Sequence, residues 1–200
     1  MVGSIEIIMG CMWSGKSTEI IRIAKRYKSI NKKVLIIKND KDNRYNFSDS
    51  YVVSHDQEKV SCINRSELLP LFNDEIYNNS EIIIIEEAQF FPDLYEFSIK
   101  SADNFNKKLV IVGLDGDYQR KPFGDILNLI PHSEKVSKLN AFCKICNNGT
   151  LANFTKRCVS NKNQELVGSD DSYIAVCREH FLENNKNDEY KVEFNVKFRK

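Results

Sequence analysis

The stretch "GCMWSGKST", residues 10–18, follows the apolar run "IEIIM", residues 5–9, and decides how the rest of the chain is interpreted. Gly10, Gly15, Lys16 and Ser17 satisfy the pattern G-x-x-x-x-G-K-[ST] between a predicted strand and a predicted helix. Glycines there allow backbone N–H groups to wrap a polyphosphate closely, and the helix N-terminus adds its dipole. The stretch therefore predicts a phosphate loop. The alternative is a tight strand-to-helix turn that binds no ligand.

A phosphate loop assigns distinct roles to its last residues. Lys16 is expected to reach the outer phosphates of the nucleotide, and Ser17 to hold Mg²⁺. The phosphate donor predicted from this motif is ATP. The residues expected to contact it are Gly10, Cys11, Met12, Trp13, Ser14, Gly15, Lys16, Ser17 and Thr18.

The composition is that of an ordinary globular protein. The chain has 200 residues, of which 42% are hydrophobic and 28% are charged, enough to bury a sizeable core. Lys and Arg number 29 against 28 Asp and Glu, so no basic field favours nucleic acid or an anionic membrane. The sequence shows neither a secretion-signal pattern nor an apolar span long enough for a membrane. We therefore expect a cytoplasmic protein without nucleic-acid or membrane partners.

The first half alternates short β-branched runs with stretches of helical period, which is typical of a parallel sheet flanked by helices. The strands are nearly continuous apolar runs, as buried parallel strands tend to be. They are expected at Ile5–Met9, Val34–Lys38, Ile82–Ile85 and Leu109–Leu114. Helices are expected after the phosphate loop, over Glu67–Tyr77, and from Asp93, as the capping residue, to about Phe105. The fold class predicted is α/β with a mostly parallel sheet.

Two acidic residues follow the third predicted strand in "IIIIEEAQFFPD", residues 82–93. Open α/β sheets bind ligands at the carboxyl ends of their strands, where Glu86 and Glu87 lie. Adjacent side chains on an extended chain point to opposite sides, so Glu86 would face Mg²⁺ and Glu87 the acceptor of the phosphate. The alternative is that both carboxylates merely solvate the strand end. Phe90 and Phe91 are either core residues or a substrate platform.

Four metal-ligand residues occur as two closely spaced pairs, Cys143-x-x-Cys146 and Cys177-x-x-His180. Such pairs can close a tetrahedral zinc site, and a complete set of four protein ligands indicates a structural site. The alternatives are a redox C-x-x-C motif and an unrelated Cys and His. The other three cysteines are expected to be packing residues. They are Cys11, Cys62 and Cys158.

The residue pattern changes at about Lys138, from alternating apolar runs to Cys pairs and clusters of Asn and Gly. We therefore expect an ATP-binding α/β domain over residues 1–137 and a zinc-binding lobe over residues 138–182. Residues 183–200 form a polar tail.

These motifs occur in an order that resembles a known family. The strings "GCMWSGKST", "EEAQFFPD" and "LDGDYQRKPFGDILNLIP" are followed by "FTKR" at residues 154–157 and by the two metal pairs. Together they closely resemble the thymidine kinases of the cellular, bacterial and poxvirus type, the type II family, over residues 3 to about 182. The resemblance implies a P-loop, RecA-like fold with a zinc-bearing lasso lobe. It also implies transfer of the γ-phosphate of Mg·ATP to the 5′-hydroxyl of thymidine.

The resemblance also implies roles for individual residues. Glu87 matches the general base, and Ser17 with Glu86 matches the magnesium contacts. Asp42 and Arg44 resemble residues near the phosphates, with an ordinary surface charge as the alternative for Arg44. The residues matched to nucleoside binding are Met12, Phe90, Leu114, Tyr118, Phe123, Thr155, Gln164, Glu165, Leu166, Val167, Gly168 and Tyr173. The family further implies a homotetramer, feedback inhibition by thymidine triphosphate, and deoxyuridine as a further acceptor.

This sequence departs from the family pattern at four of these positions. Glu86 replaces the usual Asp and Ala88 the usual Gly, which bears on metal geometry and backbone freedom beside the base. Tyr118 and Trp13 stand where Phe is usual.

Other functions compatible with a phosphate loop predict different behaviour. A zinc-bearing ATPase acting on nucleic acid would respond to DNA or RNA. A GTP switch would use the N-K-x-D string at residues 185–188, which lies in the polar tail instead of after a strand. A scaffold without catalysis would bind ATP without phosphorylating thymidine.

Overall fold

The structure is a computed structural model, and it describes residues 2–41, 51–53, 58–159 and 172–183. In chain order its elements are β1 (Ser4–Gly10), α1 (Lys16–Lys28), β2 (Val34–Asn39), β3 (Tyr51–Val53), β4 (Lys59–Ser61), β5 (Ile63–Arg65), α2 (Glu75–Asn78), β6 (Ile82–Glu86), α3 (Leu94–Asp103), β7 (Lys108–Gly113), β8 (Lys135–Leu139), β9 (Ala141–Phe142), β10 (Leu151–Ala152), β11 (Phe154–Arg157), β12 (Tyr173–Val176) and α4 (Arg178–Leu182). Turns of 3₁₀ helix cover Leu69–Asn73, Ala88–Phe90 and Leu127–His132. Within the described ranges, the helices lack the combination of length and apolar character needed to cross a membrane.

Six strands form the central sheet in the spatial order β5-β2-β6-β7-β1-β8. All five strand pairings in this sheet are parallel. The predicted α/β class with a mostly parallel sheet flanked by helices is therefore confirmed. Because all these strands run in one direction, their carboxyl ends meet at one edge of the sheet.

Both faces of the sheet are covered by helices, and β6 shows how. Ile83 and Ile85 pack on one face with Phe97 of α3. Ile84 packs on the other face with Ile20 of α1. Because both faces are buried, side chains that point to either layer are apolar, which explains the nearly continuous apolar sequence of these strands. Burying one such side chain contributes roughly 1.5–3 kcal/mol to stability.

The four strands expected from the sequence are present, each within a residue or two of the predicted bounds. The last of them, β7, ends at Gly113, so Leu114 follows the strand. The sheet also contains β5 and β8, which the sequence pattern did not predict. β5 has only three residues, and β8 lies at the sheet edge with mostly exposed positions, so neither shows a continuous apolar run. The expected domain boundary after residue 137 falls inside β8, and the domain division stays a prediction.

The residues after β8 form a small unit that we call the C-terminal lobe, comprising residues 141–159 and 172–183. Two antiparallel ribbons, β9 with β10 and β11 with β12, pack with α4. The lobe has its own small core, to which Ala152, Val176 and Phe181 belong. Cys11 of the phosphate loop belongs to this same core, so the lobe and the loop are packed together.

The predicted helix over Glu67–Tyr77 is wrong as a single element. A 3₁₀ turn at Leu69–Asn73 is followed by the short helix α2, and Asp74 between them has an extended backbone with φ −95° and ψ 129°. The Asp74 side chain accepts a hydrogen bond from the Ile76 N–H at 3.0 Å. Asp often caps a helix in this way, which explains why a new helix begins there.

Asp93 does not cap α3 through its side chain, as the sequence had suggested. Its Oδ2 instead accepts hydrogen bonds from the backbone N–H groups of Leu68 and Leu69, both at 2.7 Å. Asp93 therefore stabilises the start of the 3₁₀ turn at Leu69–Asn73, 24 and 25 residues earlier in the chain.

Replacing Asp93 by Ala is expected to lower the free energy of unfolding by about 2 kcal/mol, because two backbone N–H groups lose a charged acceptor. Urea unfolding followed by circular dichroism measures the change. Asp93→Asn keeps one acceptor oxygen and should lose less. Identical unfolding midpoints for Asp93→Ala and the unmodified protein would contradict this role.

Candidate functional site

The phosphate loop connects the end of β1 to the start of α1 at the carboxyl edge of the sheet. Gly15 has φ 83°, a left-handed conformation that glycine adopts without steric cost. A Cβ atom at Gly10 would lie 2.5 Å from the Leu139 carbonyl oxygen, so only glycine fits against β8 there. Both glycines of the motif are thus required by the backbone.

Polar groups of the loop gather at the N-terminus of α1. Lys16 Nζ donates hydrogen bonds to the carbonyl oxygens of Gly10 at 3.2 Å and of Cys11 at 2.8 Å. Ser14 Oγ is buried and has no hydrogen-bond partner within the part of the chain that the structure describes. A cation and an unpartnered hydroxyl at a helix N-terminus fit the oxygens of a phosphate chain.

Ser17 and Glu86 lie together although 69 residues separate them in the sequence. Ser17 Oγ donates a hydrogen bond to Glu86 Oε1 at 2.9 Å, and Glu86 is only 5% exposed. A hydroxyl and a carboxylate are hard oxygen ligands of the kind that Mg²⁺ prefers. The structure thus brings together the two residues expected at the metal, and that role stays a prediction.

Glu87 leaves the strand in a left-handed conformation, with φ 50° and ψ 43°. From the sequence, Glu86 and Glu87 are expected to point apart because both would be extended. That reason for the two carboxylates to diverge is wrong, since Glu87 is not extended. They do make different contacts: Glu86 binds Ser17, while Glu87 Oε2 accepts a hydrogen bond from Gln89 Nε2 at 2.5 Å. Glu87 is 7% exposed, so a second buried carboxylate directly follows the one that binds Ser17.

Two aromatic side chains predicted to bind the nucleoside are in contact. The rings of Phe90 and Phe123 meet edge to face, with their centroids 5.4 Å apart. Phe91 is instead buried in the main core. Of the two adjacent aromatics in the motif, Phe90 is thus the one that remains partly exposed beside Glu87.

Arg157 lies between two other predicted nucleoside-binding residues. Its guanidinium carbon is 3.7 Å from the ring centroid of Tyr118 and 5.2 Å from that of Tyr173. Its Nη2 also donates a hydrogen bond to the Tyr173 hydroxyl at 2.7 Å. Arg157 therefore fixes two aromatic side chains by cation–π and hydrogen-bond contacts. Sequence analysis gave it no role, although it closes the "FTKR" string.

Several predicted residues fall elsewhere or outside the described part of the chain. The Met12 backbone N–H donates to Thr155 Oγ1 at 3.0 Å, which places both where the phosphate loop meets the C-terminal lobe. The Leu114 backbone N–H donates to Gln89 Oε1 at 3.0 Å. The remaining predicted residues lie outside the described residues: Asp42, Arg44, Gln164, Glu165, Leu166, Val167 and Gly168.

The two predicted metal pairs converge in the C-terminal lobe. One ligand atom from each of the four residues lies within 4.8 Å of all the others; the residues are Cys143, Cys146, Cys177 and His180. His180 Nδ1 is 3.3 Å from the sulfur atoms of both Cys146 and Cys177. Three thiols and one imidazole form a set that could hold a tetrahedral zinc ion.

The environment of Cys143 favours the thiolate form that binds metals. Burial raises the pKa of its thiol, but hydrogen bonds from the backbone N–H groups of Cys146, Cys177 and Ile145 outweigh this and lower the pKa to about 6. Cys143 is thus the thiol of this pair that ionises first, while burial and hydrogen bonds with the thiols of Cys143 and Cys177 raise the pKa of Cys146 to about 11. Cys11 and Cys62 are buried in apolar clusters, as expected for packing cysteines.

The strand, the phosphate loop and helix, and a serine bound to a buried carboxylate at a neighbouring strand end together define a P-loop protein of the α/β class. Beside this site the chain carries a Cys₃His cluster. The sequence profile of one family, described as thymidine kinase, matches residues 3–181. The chain belongs to the thymidine kinase family.

Individual relatives agree with this assignment. The thymidine kinase of sheeppox virus (strain KS-1) is 47% identical over 182 residues, covering 90% of this chain and 98% of that protein. Thymidine kinase 1 of Dictyostelium discoideum is 43% identical over 180 residues, 89% of this chain and 77% of that one. Thymidine kinase a of Arabidopsis thaliana is 41% identical over 186 residues, covering 92% and 76%. The resemblance drawn from the motifs is therefore confirmed.

Removal of zinc from the purified, zinc-loaded protein is expected to disturb the phosphate loop as well as the C-terminal lobe. The physical reason is that Cys11 packs in the core of the lobe and its Sγ donates to the Ala152 carbonyl oxygen at 3.4 Å. After chelation, amide hydrogen exchange should rise in residues 141–159 and also at residues 10–12. Emission from Trp13, the only tryptophan, should change as well.

The matched controls for this experiment are two cysteine variants. Cys146→Ser should lose bound zinc, whereas Cys158→Ser, outside the cluster, should keep it at the original stoichiometry. Unchanged exchange at residues 10–12 after complete loss of zinc would contradict the coupling.

Proposed function

We propose that this protein is a thymidine kinase in its chemistry as well as its family. It transfers the γ-phosphate of Mg·ATP to the 5′-hydroxyl of thymidine, with deoxyuridine as a further acceptor. The product, thymidine monophosphate, would serve pyrimidine deoxynucleotide salvage and DNA precursor synthesis. The observation that carries the proposal is the buried carboxylate of Glu87, which directly follows the glutamate bound to Ser17 of the phosphate loop, because phosphoryl transfer to a hydroxyl needs a proton acceptor near the donor.

The donor half of the site consists of the phosphate loop and the Ser17–Glu86 pair. Backbone N–H groups and Lys16 would hold the phosphates of ATP, and Ser17 with Glu86 would hold Mg²⁺. The ion neutralises charge on the transferred group. In the transfer, Glu87 accepts the proton of the 5′-hydroxyl while that oxygen forms a bond to the γ-phosphorus and ADP leaves. Glu86 and Glu87 thus divide metal binding and proton transfer between two adjacent carboxylates.

The acceptor half of the site is assigned to aromatic side chains and to the C-terminal lobe. Phe90 and Phe123 would form the walls around thymine, with Tyr118 and Tyr173 held by Arg157. Met12, Leu114 and Thr155 complete this surface, and the backbone of residues 164–168 would read the polar edge of the base. A lobe that closes over the nucleoside excludes water, which limits loss of ATP by hydrolysis.

The Cys₃His cluster is proposed to bind a structural zinc ion. A set of four protein ligands leaves no open coordination position for a substrate, which is typical of structural sites. The division into an ATP-binding domain and a zinc-binding lasso lobe belongs to the same proposal. So do the homotetramer, feedback inhibition by thymidine triphosphate and a cytoplasmic location.

Glu87→Gln is expected to lower kcat for thymidine phosphorylation at least a hundredfold, since general-base catalysis typically contributes about 10²–10⁴. The measurement is thymidine monophosphate formed from ATP and thymidine at saturating concentrations. Glu96→Gln, an exposed residue paired with Lys100 on α3, is the matched control and should keep the original rate. Product formation by Glu87→Gln at the original rate would refute its role as the base.

A zinc-bearing ATPase acting on nucleic acid is the second candidate, because a phosphate loop and a Cys₃His cluster occur together here. The same assay separates the two. A kinase consumes ATP when thymidine is added, whereas such an ATPase consumes ATP when DNA or RNA is added without thymidine.

A further inference from the structure

Gln89 lies between the proposed base and the neighbouring strand, and its side chain is almost completely buried. Only 4% of the residue is exposed. Its Nε2 donates to Glu87 Oε2 at 2.5 Å, and its Oε1 accepts from the backbone N–H of Leu114 at 3.0 Å. One amide group therefore joins the segment after β6 to the segment after β7.

The two partners fix the orientation of this amide. A carboxylate accepts hydrogen bonds and cannot donate them when ionised, and a backbone N–H only donates. The amide nitrogen must therefore face Glu87 and the oxygen must face Leu114. The reversed orientation would place like groups together at both ends and leave buried polar atoms unsatisfied, which is costly in an interior.

Two glycines make the space that Gln89 occupies. A Cβ atom at Gly113 would lie 2.4 Å from Gln89 Oε1. At Gly124, where φ is 60°, a Cβ atom would lie 2.4 Å from the Gln89 carbonyl oxygen. The end of β7 and the loop that carries Phe123 are thus shaped around this residue.

Glu87 combines a left-handed backbone with a side chain that accepts a hydrogen bond from Gln89. A left-handed conformation is strained for a non-glycine residue, so it persists only where the surroundings hold it. The hydrogen bond to Oε2 fixes the rotation of the carboxylate group and hence the direction in which Oε1 points.

We propose that Gln89 is the positioning residue of Glu87, and that it sets the distance between the base and the acceptor-binding segment at Leu114. The inference rests on the proposed function, since it assumes that Glu87 is the base. Gln89 acts through Glu87 and touches no reacting atom itself. Its loss should therefore lower kcat and leave the binding of Mg·ATP at the phosphate loop unchanged.

Two variants separate the two hydrogen bonds of Gln89. Gln89→Met removes both, and Gln89→Glu keeps an acceptor for the Leu114 N–H but replaces the amide donor by a second carboxyl group beside Glu87, with which it must share a proton. We expect both variants to lower kcat about 10–100-fold, because small misplacements of a catalytic group cost about that much. The KM for ATP should change less than twofold. A Gln89→Met variant with the original kcat would overturn the proposal, since neither hydrogen bond of Gln89 would then matter for the reaction.

A second background tests whether Gln89 acts through Glu87. In Glu87→Asp the shorter side chain moves the carboxylate away from the amide, so adding Gln89→Met should cost less than threefold there. The same loss in both backgrounds would indicate a structural role and overturn the proposal. Tyr77→Phe is the control for stability, because it removes a buried hydrogen bond to Ser101 in the core. It should lower the melting temperature and leave kcat unchanged.

The experiment distinguishes failure of this inference from failure of the proposed function. If the unmodified protein makes no thymidine monophosphate, the proposed function is refuted. If it does so and Glu87→Gln abolishes the reaction while both Gln89 variants keep the original kcat, only the role of Gln89 is refuted.

Discussion

Backbone hydrogen bonds hold the strands β2, β6, β7 and β1 parallel to one another, so the carboxyl ends of all four lie side by side at one edge of the sheet. Gly10 ends β1 there, Glu86 ends β6 and Gly113 ends β7. Because the pairing register fixes where each strand ends, Ser17 and Glu86 can meet although they are distant in sequence. The same pairing places Leu114 within reach of Gln89. The site depends on these main-chain bonds before any side chain makes a specific contact.

The two adjacent glutamates show how one strand end can provide two chemical groups. Glu86 is still in the strand and turns toward the phosphate loop, where Ser17 holds its carboxylate. Glu87 has already left the strand with a positive φ, so its side chain follows a different path toward Gln89. Alternation along an extended chain would not by itself have brought the carboxylate of Glu87 to Gln89. The reversal of the backbone at Glu87 therefore matters as much as the identity of its side chain.

What the sequence predicts well here depends on signals that are local in the chain. The residues that form the phosphate loop, each buried strand or each metal pair lie within a few positions of one another in the sequence. A regular backbone converts such short spacings directly into geometry. Asp93, Gln89 and Arg157 differ, because each has a hydrogen-bond partner far along the chain. Leu68 is 25 residues from Asp93, Leu114 is 25 residues from Gln89, and Tyr173 is 16 residues from Arg157. Nothing in the surrounding sequence indicates these distant partners. Their roles become visible only in the folded structure, where distant parts of the chain meet. The same is true of the edge strand β8, which is recognised by its pairing with β1.

The phosphate loop contacts both the central sheet and the C-terminal lobe, so it links the proposed ATP site to the proposed nucleoside site. Gly10 is pressed against the backbone of β8, and Cys11 packs into the core of the C-terminal lobe. The next residue, Met12, donates its N–H to Thr155 on β11, in the lobe that also provides the Cys₃His cluster. Three consecutive residues thus tie the loop to elements that follow it by well over a hundred positions. A shift of the lobe would therefore be transmitted to the loop through these contacts, so a metal bound at the Cys₃His cluster would also bear on the shape of the phosphate cradle.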